Sequence, residues 1–269
     1  MEHKVLGRTR ERIPVLGMGT WAMGNSTGEK RSEEVAALKK GIELGMGLID
    51  TAESYGRGKS ETLVSKAIEN VRDQIFLATK VSPEHFAYDD VLKSCTASIE
   101  RLEVKYIDLY QLHWPNPHVS IQETMRAMEE LVSQGKVRYI GVSNFSVDQV
   151  IEAQGALPRS EIVSNQVPYS PGSREIESEL LPFCEKERVT IIAYSPLDRG
   201  NIPAERIPNA ILGKYELTAA QAVLNWVTYK EGVVAIPKAS EIKHVEENAE
   251  SLGVRFSQSD YEALSRAFD

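Results

Sequence analysis

The stretch GMGTWAMG, residues 17–24, follows the apolar run Ile13-Pro14-Val15-Leu16 and admits two incompatible folds. Gly17, Gly19 and Ala22 satisfy the G-x-G-x-x-G/A spacing of a dinucleotide-binding turn. In that turn a helix starts inside the glycine fingerprint, so that its N-terminus meets the pyrophosphate. Here the chain continues through Met23-Gly24-Asn25-Ser26-Thr27-Gly28, a turn-rich stretch, and helical periodicity starts only near Ser32. The fingerprint is out of context. The glycines read instead as residues that let backbones pass closely at a strand end.

Working outward, the chain alternates short apolar runs with amphipathic stretches. The runs are Val15–Gly19, Gly47–Asp50, Ile75–Lys80, Tyr106–His113, Val137–Ser143, Ile162–Gln166, Thr190–Tyr194 and Val233–Pro237. Each is short enough for a strand and continuous enough to be buried on both faces, as parallel sheets require. Between them, Val35, Leu38 and Ile42 share one helical face behind Ser32 as N-cap, and Val91, Cys95, Ile99 and Leu102 share another. Ser120 with Glu123, Ser146 with Gln149, and Thr218 with Gln221 have capping-box spacing, while Gly45 and Gly135 sit where left-handed C-caps end helices. Residues 4–13 read as a hairpin and Ser257–Phe268 as a terminal helix. The pattern predicts an α/β fold: a (β/α)8 TIM barrel with an N-terminal β-hairpin plug and an extra C-terminal helix. No linker or compositional shift divides the chain, so residues 1–269 read as a single domain.

Bulk properties agree. The 269 residues lie near the roughly 250 of a typical barrel of this kind. A net charge of −8 with no basic stripe argues against nucleic acid and anionic membranes, and no apolar run approaches a membrane span. Cys95 and Cys184 stand alone and read as buried thiols in a reducing, cytoplasmic setting, since the N-terminus has no apolar signal region.

The informative feature is where polar residues fall. The apolar runs end in Thr20-Trp21, Asp50, Lys80, His113, Ser143-Asn144, Gln166, Tyr194-Ser195 and Lys238. In a barrel, all these C-terminal strand ends open on one face, where active sites are built. Singly, an Asp after a strand is often a turn former, and a His in an apolar run is most often a hydrogen-bonded core residue. Eight polar ends converging on one face is a different matter. Asp50 is the natural counter-charge for a buried Lys80. The ammonium is expected to lower the pKa of Tyr55 toward working pH, and His113 offers a donor to a carbonyl oxygen. No serine elbow and no His/Asp/Glu set with metal-ligand spacing accompanies them. Such a cluster suits carbonyl reduction, where a hydride arrives from elsewhere and a proton must be supplied.

The chain also resembles the aldo-keto reductases end to end, through GMGTW, LIDTAESYG, FLATKV, DLYQLHWP, VRYIGVSNF, VSNQVPYSP, IIAYSPL and VVAIPKAS…HVEEN in order. The resemblance implies reduction of aldehydes and ketones, with NADPH extended across the barrel top. It also implies a catalytic tetrad of Asp50, Tyr55, Lys80 and His113, with Tyr55 as proton donor. Ser143, Asn144 and Gln166 would hold the nicotinamide amide, Tyr194 would stack on its ring, and Ser195, Pro196 and Leu197 would follow the pyrophosphate. Gly19, Thr20, Trp21 and Asp50 would border the cofactor. The segment from Ile236 to Asn248 would hold the adenosine end, with Lys238, Ala239 and Ser240 near the 2′-phosphate and Glu247 at the adenine. Trp21, Tyr55, His113 and Trp114 would line the substrate pocket, and no metal is implied.

Two departures refine this expectation. The family commonly carries an arginine where this sequence has His244, so NADPH should be preferred over NADH with weakened discrimination. The chain stops at its terminal helix and the segment after His113 is short, which predicts an open pocket with broad tolerance of aldehydes. The partner expected is a small-molecule carbonyl substrate, and the chain is expected as a monomer or weak oligomer. The rival is a slow, cofactor-sensing protein on the same barrel, like the cytoplasmic potassium-channel subunits that resemble this family and keep the same tetrad.

Overall fold

Backbone contact between Gly17 and Ala235 closes a ring. The Gly17 N–H donates to the Ala235 carbonyl at 2.8 Å, the Ala235 N–H donates to Val15 at 2.9 Å, and the Gly19 N–H donates to Pro237 at 3.1 Å. These approaches require glycine. A Cβ on Gly17 would lie 2.5 Å from the Leu48 carbonyl oxygen, and one on Gly19 would lie 2.8 Å from that of Ile236.

The computed structural model describes residues 1–269. A hairpin of β1 (His3–Val5) and β2 (Arg12–Pro14) precedes β3 (Met18–Gly19), α1 (Gly28–Glu43), β4 (Leu48–Asp50) and α2 (Lys59–Ile68). Then follow β5 (Phe76–Val81), α3 (Tyr88–Leu102), β6 (Ile107–Leu112), α4 (Ile121–Ser133), β7 (Val137–Ser143) and α5 (Val147–Gly155). The chain continues with β8 (Ile162–Pro168), α6 (Leu180–Glu187), β9 (Thr190–Tyr194), α7 (Asn209–Tyr215) and α8 (Ala219–Val227). It ends with β10 (Val233–Ala235), α9 (Ile242–Glu250) and α10 (Gln258–Arg266). Strands β3 to β10 pair in parallel, in sequence order, and a bridge from Leu16 to Ala235 joins the ends. This is the (β/α)8 barrel, with hairpin and terminal helix as the sequence predicts.

Two apolar layers hold it. One fills the space between strands and helices, with Leu38, Leu63, Cys95, Met128 and Trp226 among its members. The other lies inside the ring, where Leu6 and Ile13 of the hairpin region pack on Leu48, Phe76, Leu109, Val163, Ile192 and Val234. The hairpin therefore stoppers the barrel at the end opposite the strand C-termini. Lys4 fastens it: its ammonium donates to the carbonyls of Thr228 and Lys230 at 2.6 Å and of Val233 at 2.8 Å, all beyond the end of α8.

Local signals hold unevenly. Capping boxes form at Ser146 with Gln149 and at Thr218 with Gln221, and Gly45 and Gly135 take positive φ of 86° and 68°. Ser120 begins α4 without a capping box, because Glu123 reaches across to accept from the Tyr88 N–H at 3.0 Å. Helix α1 starts at Gly28, the last residue of the turn-prone stretch, and not near Ser32, which lies within the helix on the solvent side. Both cysteines are free and buried, and burial pushes their thiols up to about 12.

Candidate active site

The ends of β4 and β5 and the loop after β4 bring three groups together. Lys80, fully buried, donates to Asp50 Oδ2 at 2.5 Å, to the Thr51 carbonyl at 2.9 Å and to the Tyr55 hydroxyl at 3.2 Å. Burial alone would drive an ammonium to lose its proton; the Asp50 carboxylate, with Tyr55 beside it, outweighs that cost and raises the Lys80 pKa. Tyr55 differs from the sequence expectation. Burial pushes its phenol above the ordinary value, and the opposing pull of Lys80 does not overcome this because Asp50 partly cancels it. The phenol thus keeps its proton at neutral pH.

His113, just beyond β6, sets its ring edge-on to Tyr55, with centroids 5.6 Å apart and planes at 72°. Burial first, and the Lys80 charge second, lower its pKa to about 3, so the imidazole is neutral. Nδ1 lies 3.3 Å from the Ser54 hydroxyl, and the His113 carbonyl accepts from the Asn144 side-chain amide at 3.1 Å.

A layer of amides surrounds the far side of Asp50. Its second oxygen accepts from Gln166 at 2.7 Å and from Gln111 at 3.3 Å, both side chains buried. Beside them, the Ser143 hydroxyl donates to the Gln166 carbonyl, and Asn144 donates to the Ser143 oxygen. Asn144 holds a left-handed φ of 63°, a conformation that Asn tolerates best among non-glycine residues, and accepts at its Oδ1 from the half-buried Tyr194 hydroxyl at 3.0 Å. Ser195 follows at φ 49°. Gln111 and Ser54 are absent from the sequence-predicted set; Gln111 alternates inward between Leu109 and His113, a period-two position readable in advance.

Other expected residues separate into groups. Thr20 is fully buried and spends its polar groups internally: its N–H and hydroxyl donate to the Asp50 carbonyl, and Ser60 donates to it in turn. The Gly19 N–H is likewise committed to ring closure. Ile236 and Asn248 are buried, whereas Lys238 is exposed and donates to Ser240 at 3.1 Å, with Ala239 half-buried between them. His244 lies 3.5 Å from Glu247, which also accepts from Thr218. Pro196 is buried and Leu197 half-buried on the loop beyond Ser195. Trp21 and Trp114 flank the mouth at 54% and 49% exposure, and the Arg199 guanidinium lies 5.2 Å over the Trp21 ring.

A neutral phenol on an ion-paired ammonium, next to a neutral imidazole, can deliver a proton to an oxygen that is gaining negative charge. The amide and hydroxyl array alongside, with the aromatic face of Tyr194 and the cation of Lys238, offers groups to a planar carboxamide at one end and a phosphate at the other. Comparison with known proteins agrees with this chemistry. The model of the aldo/keto reductase family matches residues 15–268. Methylglyoxal reductase YeaE of Escherichia coli (strain K12) is 40% identical over 261 residues, covering 95% of this chain and 91% of that protein. The crystal structure of the thermostable aldo-keto reductase Tm1743, complexed with the inhibitor epalrestat, superposes with a TM-score of 0.95 at 41% identity, over 99% of this chain and 100% of that one. An aldo/keto reductase from Klebsiella pneumoniae, complexed with NADP and acetate, gives 0.90 at 37% identity, over 100% and 96%.

Proposed function

This chain belongs to the aldo/keto reductase family, and we propose that it reduces aldehydes and ketones to alcohols with NADPH, with Tyr55 as proton donor. The observation that carries the reading is the contact of the Lys80 ammonium with both Asp50 and the Tyr55 hydroxyl beside a neutral His113.

The residues present fit the cofactor. Gln166 spends its N–H on Asp50, which leaves its Oε1 as an acceptor for a carboxamide N–H, while Ser143 and Asn144, whose donors are here committed to the Gln166, His113 and Ser143 oxygens, would turn one of them to the carboxamide oxygen. Tyr194 would face the nicotinamide ring, Ser195 to Leu197 would follow the pyrophosphate, and Lys238 with Ser240 would take the 2′-phosphate. NADPH, when bound, supplies the hydride. Tyr55 holds the proton that the substrate oxygen takes up, and Lys80 stabilises the phenolate left behind. His113 orients the carbonyl oxygen toward that proton. The ion pair with Asp50 keeps Lys80 charged throughout the cycle.

An open mouth between Trp21 and Trp114 favours breadth over tight selection. Small 2-oxoaldehydes such as methylglyoxal, for which the Escherichia coli relative is named, head the candidate list. NADPH consumption with methylglyoxal and with an aromatic aldehyde tests the reading. Tyr55→Phe should cut kcat by about 10²–10⁴-fold with NADPH affinity nearly intact. Near-normal reduction by that variant would remove Tyr55 from its role, and absence of turnover with any carbonyl would favour a cofactor-sensing protein.

A further inference from the structure

A carbonyl oxygen can be oriented by a neutral imidazole only from the nitrogen that carries the hydrogen, and His113 has one such nitrogen. Its Nδ1 faces the Ser54 hydroxyl at 3.3 Å, and the chain gives its Nε2 no hydrogen-bond partner. Ser54 makes no other side-chain hydrogen bond, so its O–H is free to donate to Nδ1. We infer that Ser54 is a positioning residue that fixes His113 as the Nε2–H tautomer, which turns the donor of the ring toward the substrate oxygen.

The Ser54 side chain is exposed, and its backbone is fixed by its neighbours. Its neighbour Glu53 accepts from the Ser82 N–H at 2.7 Å and lies 2.9 Å from His85 Nδ1, while the Glu53 N–H donates to the Lys80 carbonyl. On its other side the Tyr55 N–H donates to the Ala52 carbonyl, and the Ser54 carbonyl accepts from Arg57. The residue is clamped between two anchored positions, one of them the proton donor itself. Protonation of the imidazole, which would make both nitrogens donors and the tautomer irrelevant, is opposed first by burial and second by the Lys80 ammonium nearby. The opposite tautomer would have Nδ1–H donate to Ser54 and present a lone pair to the carbonyl oxygen, a repulsive contact.

This inference rests on the proposed carbonyl reduction, but its first measurement does not. In the uniformly ¹⁵N-labelled full-length protein, long-range ¹H–¹⁵N correlations report which ring nitrogen of each histidine carries hydrogen. The chain has five histidines, and the ring signals lost in His113→Asn identify the one of interest. The expected result is an N–H at Nε2 and a bare nitrogen at Nδ1. In Ser54→Ala, the Nδ1 signal should shift toward that of a tautomer mixture, and kcat for aldehyde reduction should fall about fivefold, the loss of one neutral hydrogen bond. Ser54→Thr should restore both. An Nδ1–H tautomer in the unmodified protein, or a Ser54→Ala variant with tautomer and kcat unchanged, would overturn the assignment of Ser54. A protein that shows the expected tautomer yet reduces no carbonyl would overturn the proposed function instead.

Discussion

Gln166 and Asp50 are joined across 2.7 Å, the side-chain amide of Gln166 donating to the carboxylate oxygen that Lys80 does not hold. A single carboxylate thereby links the group that would receive the cofactor's carboxamide to the group that governs the proton. Gln166→Glu should set two carboxylates against each other and push a proton onto one of them. Both NADPH affinity and kcat should drop, each by about tenfold or more, a size set by losing a hydrogen bond to a charged group. Gln166→Leu should weaken NADPH binding by about fivefold with a smaller fall in kcat. Fluorescence titration of NADPH alongside steady-state turnover separates the two.

The pH profile follows from two shifts. With Tyr55 as the proposed proton donor, reduction should need its phenol protonated, so activity should be present below its pKa and lost above it; burial raises that pKa and extends the expected active range upward. His113 stays neutral down to about 3 and contributes no inflection near the usual histidine value. The kcat for reduction should therefore stay level from about pH 5 to pH 9 and fall only beyond the ordinary phenol range near 10. A clear ionisation between pH 6 and 7, read about the reference histidine value, would contradict this arrangement.

The proposed preference for NADPH rests on His244, whose Nδ1 faces Glu247 at 3.5 Å, and on Lys238, whose ammonium is held by Ser240. The unmodified protein should use NADH measurably while preferring NADPH. His244→Arg adds a permanent, forked cation and should raise the NADPH-to-NADH ratio of kcat/KM by about tenfold. Equal kcat/KM for the two cofactors in the unmodified protein would remove the premise.

Lys4 tests the stopper at the other end. Its three carbonyl acceptors lie beyond α8, where the helix dipole favours a cation. Lys4→Met keeps the apolar stem and strands those buried carbonyls, so unfolding free energy should fall by about 2–4 kcal/mol. Denaturant melts should show a lower midpoint at constant slope. Turnover at low temperature should hardly change, since the active face is at the opposite end of the barrel.

Most of the fold was legible because a parallel barrel writes itself twice, once in apolar runs buried on both faces and again in the polar residues that end them. The bounds predicted for Val137–Ser143 and Thr190–Tyr194 match β7 and β9. Helices α2, α6, α7 and α9 start from Gly58, Glu179, Pro208 and Glu241 without a side-chain cap, so they carry no punctuation of the kind that marks α5 and α8. At the site, Asp50, Lys80 and Tyr55 could be paired from charge alone. The acidity of Tyr55 could not, because its direction depends on how much water three converging loops exclude, and that is a property of packing and not of composition. Thr20 illustrates the same gap: a polar strand end reads as a binding group, yet Asp50 and Ser60 consume its donors and acceptors.

The glycine-lined seam has a kinetic consequence. Gly17 and Ala235 are separated by nearly the whole chain, and β3 contributes only Met18 and Gly19 to the ladder. Every other strand pair joins neighbours in sequence, so the ring can be laid down progressively from β3 to β10, but its final joint must wait for the longest loop between any two paired strands to close. During synthesis the edges of β3 and of the latest strand stay open until Val233–Ala235 emerges. The two glycines that first suggested a phosphate cradle thus mark the place where the polypeptide is last to become a barrel.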